Sequence, residues 1–365
     1  MNPERRTVLK CTGLTAAAST AGLAGCLDTV GFGGGGEGSE YPPSESWLAA
    51  TDGSIEFGTL EWAALEEFEA LEDEVDREAS DEADDGALVH ETDLLLEMPA
   101  MGALIIALGV GFGFWGTGLD GIITTDGDDD GDTAADFETT VEELLWINDV
   151  YVLAGEIDTE EIVDALTEEP DDAVSMTRIY ERSDEYADYE LYEPAENDDE
   201  YAISSPDDAI AVSEDAIIYA GNADETDATE RIRRVLDVRE GDSDGATDVL
   251  EEFGWLLETA GHGQMVIGMA GELDEDDADG PAEDDLDDPA GDDEFESATG
   301  LVSSLSVEDG GGLSADYAMT FESIDDDTKA ELEDTLGVSA DDVTIEFDDD
   351  RLTASASWDD ADILE

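Results

Sequence analysis

"MPAMGALIIALGVGFGFWGTGL", residues 98–119, is a run of 22 residues without a charge in a chain of which 32% is charged. As a helix it would be about 33 Å long, enough to cross a bilayer. Two features point to a core element instead. Six of the 22 residues are glycine, and each glycine weakens a solvated helix by about 1 kcal/mol relative to alanine, so close-packed neighbours are implied. No Lys or Arg flanks the run to set an orientation across a membrane. Gly109 and Gly113 also have the spacing that lets another surface approach closely. The run is therefore expected to be buried against apolar surface such as Val150, Val152 and Val266.

Working outward, "SIEFGTL" (54–60) reads as a strand. Trp62, Leu65, Phe68, Leu71 and Val75 recur at helical spacing. Beyond the run, "DVYVLAGEI" (149–157) reads as a strand. "DTEEIVDALTE" (158–168) reads as a helix opened by a capping box of Asp158 and Glu161. Short alternating segments at 176–182, 189–194, 200–206, 209–215 and 216–221, broken by Asp, Pro or Asn, suggest an antiparallel meander. Helices are expected over 225–240 and 246–261. The largely apolar 264–273 suits a central strand. Strands at 301–309 and 313–324, a helix over 325–337 ended by Gly337, and a hairpin over 343–358 follow. The expected class is α+β: a largely antiparallel sheet with several packed helices and one long apolar buried element, 98–119. The expected divisions are a signal segment (1–25), a Gly/Ser/Pro-rich tether (26–46), an α+β region with acidic loops (47–271), a disordered acidic insert (272–297) and a C-terminal part (298–365).

The chain has 104 acidic and 12 basic residues, a net charge of −92. Without residues 1–25, which hold Glu4, Arg5, Arg6 and Lys10, the remainder stands at −94. Such self-repulsion opposes compaction in dilute salt, and at 1 M salt the Debye length of about 3 Å screens it. The 41% hydrophobic content, with 6 Trp, 9 Tyr and 10 Phe, argues for a folded protein over an acidic disordered one. Nucleic-acid binding needs a basic footprint, which this composition lacks.

Arg5 and Arg6 precede an uncharged stretch rich in small residues, which ends Leu23-Ala24-Gly25-Cys26. A charged segment, a short apolar segment and a small-residue site make an export signal. "RRTVLK" resembles the twin-arginine (Tat) export motif, with Glu4 and Val8 where that motif usually has Ser or Thr and Phe. Leu23, Ala24, Gly25 and Cys26 match the lipobox of bacterial-type lipoproteins. Together with the composition, the chain resembles the Tat-exported lipoproteins of salt-adapted (halophilic) archaea. The resemblance implies cleavage before Cys26, a two-chain lipid on its sulfur and a location at the outer face of the cytoplasmic membrane. Two chains at about 0.8 kcal/mol per buried methylene give a stable anchor. Cys11 leaves with the signal on this reading, so no disulfide or cysteine metal site is expected in the remainder.

Motifs that carry chemistry are sparse. His90 and His262 are the only histidines. No G-x-S-x-G elbow occurs, and no phosphate-binding glycine loop stands between a strand and a helix. Asp126, Asp128 and Asp130 match the first half of an EF-hand loop, but its twelfth position is Phe137 and Glu138 falls one residue late. That favours a solvated acidic loop over a closed calcium site. The expected function is that of a lipid-anchored surface protein that binds a partner, ligand or envelope component without catalysis and without a cofactor. The alternative is a hydrolase using His262 with a carboxylate and a hydroxyl.

Folding is expected to need molar salt. The near-UV circular dichroism of the protein should lose its native form as KCl is diluted from about 4 M to about 0.1 M, where the Debye length reaches about 10 Å. A native spectrum unchanged across that range would contradict the screening argument.

Overall fold

Twelve strands form one sheet: β1 (Ser54–Glu61), β2 (Thr140–Ile147), β3 (Val150–Glu156), β4 (Tyr180–Tyr186), β5 (Tyr189–Pro194), β6 (Ala209–Val212), β7 (Ala216–Ala220), β8 (Met265–Gly271), β9 (Ala298–Val307), β10 (Leu313–Phe321), β11 (Asp342–Asp348) and β12 (Arg351–Trp358). They belong to a computed structural model that describes residues 41–62, 93–119, 121–122, 137–168, 178–195, 208–221, 226–271, 297–308 and 312–358. The order across the sheet is β11-β12-β10-β9-β8-β1-β2-β3-β7-β6-β5-β4. Every neighbouring pair is antiparallel. Among the described residues six helices accompany the sheet: α1 (Leu94–Phe114), α2 (Thr159–Thr167), α3 (Ala228–Arg239), α4 (Ala246–Val249), α5 (Phe253–Ala260) and α6 (Asp326–Thr335). The expected α+β class with a largely antiparallel sheet is what the structure has.

The two sides of the sheet follow one plan. From the central β1–β8 pair, three consecutive strands run outward on each side, β1-β2-β3 and β8-β9-β10. A helix follows, α2 or α6, and the chain then returns so that β7 lies against β3 and β12 against β10. The acidic stretch after β8 therefore separates strands of one continuous sheet.

Helices cover both faces. On one face α1 crosses β8, β9, β1 and β2 to reach β7, and its Ile106, Val110 and Phe114 join Ile162 and Leu166 of α2 and Leu332 of α6 in one apolar cluster. On the other, Phe253 of α5 meets Phe57 of β1 edge-on at 5.6 Å, and α3 packs on β6 and β7.

Glycines seat α1. A β-carbon on Gly102 would lie 2.8 Å from Ile267 Cβ, one on Gly109 2.2 Å from the Tyr151 hydroxyl, and one on Gly113 2.7 Å from the Tyr219 ring. Side chains alternate across a strand, so Val150, Val152 and Val266, next to Tyr151 and Ile267, are buried on the opposite face. The expected contacts with those valines are corrected by one residue of register. The outward side of α1 stays bare: Met101, Leu104, Ile105, Leu108, Phe112 and Trp115 are exposed, Phe112 by 72%. The run is thus buried along one face only, although α1 is long and apolar enough to cross a membrane.

Both ends of α1 are held by ionic groups. The buried Asp93 caps the start, accepting from Leu95 N at 3.1 Å. The same carboxylate accepts from Gly337 N at 2.9 Å, Ser339 N at 3.0 Å and Ser339 Oγ at 2.7 Å, which ties α1 to the chain leaving α6. At the other end Arg178 donates to the carbonyls of Trp115 (2.9 Å) and Gly113 (3.4 Å). A cation there complements the helix dipole and its orphan carbonyls.

Other expectations shift locally. β2 is not marked by an alternation strong enough to have been expected. The segment 246–261 is two helices, because Glu252 adopts a left-handed φ of 74° between α4 and α5. Half of the capping box forms. Asp158 accepts from Glu160 N and Glu161 N, while Glu161 turns away to accept from Glu138 N and Thr139 N ahead of β2. The folded unit also begins before Trp47, since a 3-10 turn at Pro43–Trp47 buries Ser44 and Trp47. The helix expected from Leu65 onward, the strand at 200–206 and the acidic stretch 272–296 lie outside the described residues.

The glycines of α1 should respond with opposite signs to alanine. Gly102→Ala gains helix propensity but forces Ile267 to move, a net loss of about 1–2 kcal/mol. Gly111, with no atom within 4 Å of an added β-carbon, should gain about 0.5–1 kcal/mol on Gly111→Ala. Urea unfolding at fixed molar KCl measures both, and shifts of equal sign would contradict the seating.

Candidate functional site

Helix α3 carries Arg231, Arg233, Arg234 and Arg239, four of the chain's 12 basic residues. Arg231 and Arg234 lie three positions apart, on one side of the helix. Both line a hollow of about 160 Å³. Its other walls are the turn before β1 (Ala49, Thr51, Asp52) and the β2–β3 turn (147–150). Asn148 fixes those two turns together. It takes a left-handed φ of 50°, which asparagine tolerates. Its amide donates to Ala49 O at 3.1 Å and Thr51 Oγ1 at 3.3 Å, and its side-chain oxygen accepts from Glu56 N at 3.0 Å.

The Arg231 side chain is 7% exposed. It donates to Gly221 O and, at 3.5 Å, to Asp149 O, and its contact with the Asp149 carboxylate is a long 3.9 Å. Its Nε is buried without a hydrogen-bond partner among the described residues. Arg234 donates to Thr51 Oγ1 at 3.1 Å. The described residues give it no ion pair with a carboxylate.

Two further groups have perturbed chemistry. Burial, then the charge of cross-strand Glu61, pushes the Glu143 carboxyl up to about 7, against the pull of Arg239. Asp208, 2% exposed, accepts from Arg178 and from the Tyr180 hydroxyl at 3.3 Å, while its other oxygen has no partner among the described residues. Burial raises Asp208 in spite of Arg178, and burial with the Asp208 charge raises Tyr180. This network sits under the C-terminal end of α1 and locks it.

Of the residues singled out in the sequence, His262 is exposed at the turn between α5 and β8 and does not line the hollow. Arg5, Arg6, Leu23, Ala24, Gly25, Cys26, His90, Asp126, Asp128 and Asp130 lie outside the described residues. Among the described residues, no group of three or more His, Cys, Asp or Glu is placed to hold a metal. The arginine-lined hollow was missed by motif reading. Its signal was "ERIRRVLDVR", a concentration of scarce cations that periodicity alone registers as a helix. No protein-family model, curated protein or solved structure matches the chain.

Glu143 makes stability depend on pH. Its folded value of about 7 stands above an unfolded value of 4.5, so folding favours the protonated form. That favourable contribution is fully present below about pH 4.5 and is lost as pH rises through 7. Glu143→Gln should therefore gain stability relative to the parent by roughly 3 kcal/mol between pH 4.5 and pH 8. Urea unfolding at fixed molar KCl reads this, and a difference that does not change with pH would contradict it.

Proposed function

We propose that this is a lipid-anchored extracytoplasmic protein of the cell surface that acts by non-catalytic binding, in the manner of the Tat-exported lipoproteins of salt-adapted archaea. The observation that carries the reading is Leu23-Ala24-Gly25-Cys26 at the end of an uncharged segment that follows Arg5 and Arg6. The net charge of −92 supports a salt-rich setting. The exposed stripe of α1 supports a role in contact with another body, because apolar patches of this kind mark interaction surfaces more often than inert ones. His262 is exposed and lies outside the hollow, which supports binding over the hydrolase alternative.

Cys26→Ser tests the anchor. The variant should leave the membrane fraction and lose the mass of two acyl chains. The outward stripe of α1 could hold the protein to lipid by itself, so the same substitution is also made with Leu108→Glu and Phe112→Glu. Retention of the triple variant in membranes with unchanged mass would sink the lipoprotein reading.

A further inference from the structure

We propose that the hollow between α3 and the two turns binds the carboxylate of a small organic acid. This deepens the reading that the protein acts by binding, and it does not depend on the anchor at Cys26.

The argument starts from how the chain uses its other arginines. Arg178, Arg182, Arg233 and Arg351 each have a carboxylate in close contact. In a chain with 104 acidic residues such a partner is the default. Among the described residues three arginines depart from it: Arg239, which meets Ser46 Oγ and the Trp47 ring, and Arg231 and Arg234, which line the hollow. Among the described residues Arg231 approaches a carboxylate only at 3.9 Å, that of Asp149, whose side chain is 63% exposed, and Arg234 donates to a threonine hydroxyl. Two guanidinium groups on one side of a helix repel, and burying one with an unsatisfied N–H adds a desolvation cost. An anion in the hollow offsets the repulsion, taking charge-assisted hydrogen bonds from the two guanidinium groups that line it.

The walls select the anion. Asp52 and Asp149 line the same hollow, so a dianion such as phosphate meets like charge on entry. A monocarboxylate carries half that charge and is repelled less, and a hydroxyl or ammonium on its neighbouring carbon would face those aspartates favourably. About 160 Å³ has room for an acid of acetate to amino-acid size. The Asn148 bridges hold the two turns against each other before any ligand arrives. Preformed walls of this kind reduce the ordering cost of binding.

The test is titration calorimetry of the full chain in molar KCl with acetate, glycine and inorganic phosphate. Acetate or glycine should bind at one site and saturate, with phosphate weaker. Arg234→Gln should weaken acetate at least tenfold with an unchanged near-UV spectrum, and Asp52→Asn should tighten it. Arg231→Gln should abolish binding, but Arg231 also ties Gly221, so Arg234→Gln decides the matter if that variant misfolds. Absence of saturable binding of acetate and glycine, or equal affinity in Arg234→Gln, would overturn the proposal. So would chloride-35 line broadening relieved by Arg234→Gln while acetate has no effect, since the hollow would then be a chloride site. Cys26→Ser should bind acetate as the parent does, which keeps failure of the anchor distinct from failure of the site.

Discussion

The structure depends on how closely α1 can lie on the middle of the sheet. Ile267, Tyr151 and Tyr219 reach into spaces that a single methyl on Gly102, Gly109 or Gly113 would fill. The helix crosses the β1–β8 junction, so its seat is shared between both sides of the sheet. Interior packing is dense enough that a gap or overlap of one methylene is felt. Here the fit is achieved by removing side chains from the helix. That choice lowers intrinsic helix stability, and Asp93 and Arg178 compensate by satisfying backbone and side-chain groups at its two ends.

Cations are scarce, and their placement is informative. Arg178 closes α1, Arg351 joins Glu252 while lying over Trp255 at 4.5 Å, and Arg239 lies over Trp47 at 4.7 Å. Each links elements that are distant in sequence. The outermost strands carry the opposite charge: β4 has Glu181, Asp184 and Glu185, and β11 has Asp342, Glu346 and Asp348. Charged edge strands discourage further strand pairing, which an open sheet otherwise invites. At high salt this rests less on long-range repulsion than on the cost of stripping water from the carboxylates.

The fold was largely legible because its strands are short, alternating and punctuated, as in Tyr189–Pro194 and the Asp342–Trp358 hairpin region. What was not legible has identifiable causes. The face of the sheet that α1 meets depends on strand parity, and Val150 and Tyr151 are both suited to a core. The break at Glu252 has no glycine or proline to announce it. Glu161 had two sets of backbone donors to choose between, and only tertiary structure decides which it takes. The hollow was hidden for a different reason. It is defined by two arginines that lack a close carboxylate although Asp52 and Asp149 line the same hollow, and the linear sequence gives no cue to that spacing.

The junction of β1 with β8 joins residues in the fifties to residues in the 260s. Most other pairings in the sheet link strands that are near in sequence, so each side can gain structure locally before the two meet. Bringing β1 to β8 closes the longest loop in the sheet, and topologies dominated by such contacts fold slowly. Until that closure occurs, β1 and β8 have an unpaired edge each; β8 carries no charge, and β1 carries two carboxylates, Glu56 and Glu61, where β4 and β11 carry three each. The interval between local folding and closure is thus the period of greatest exposure to misassembly, and α1, lying over both strands, is placed to shorten it.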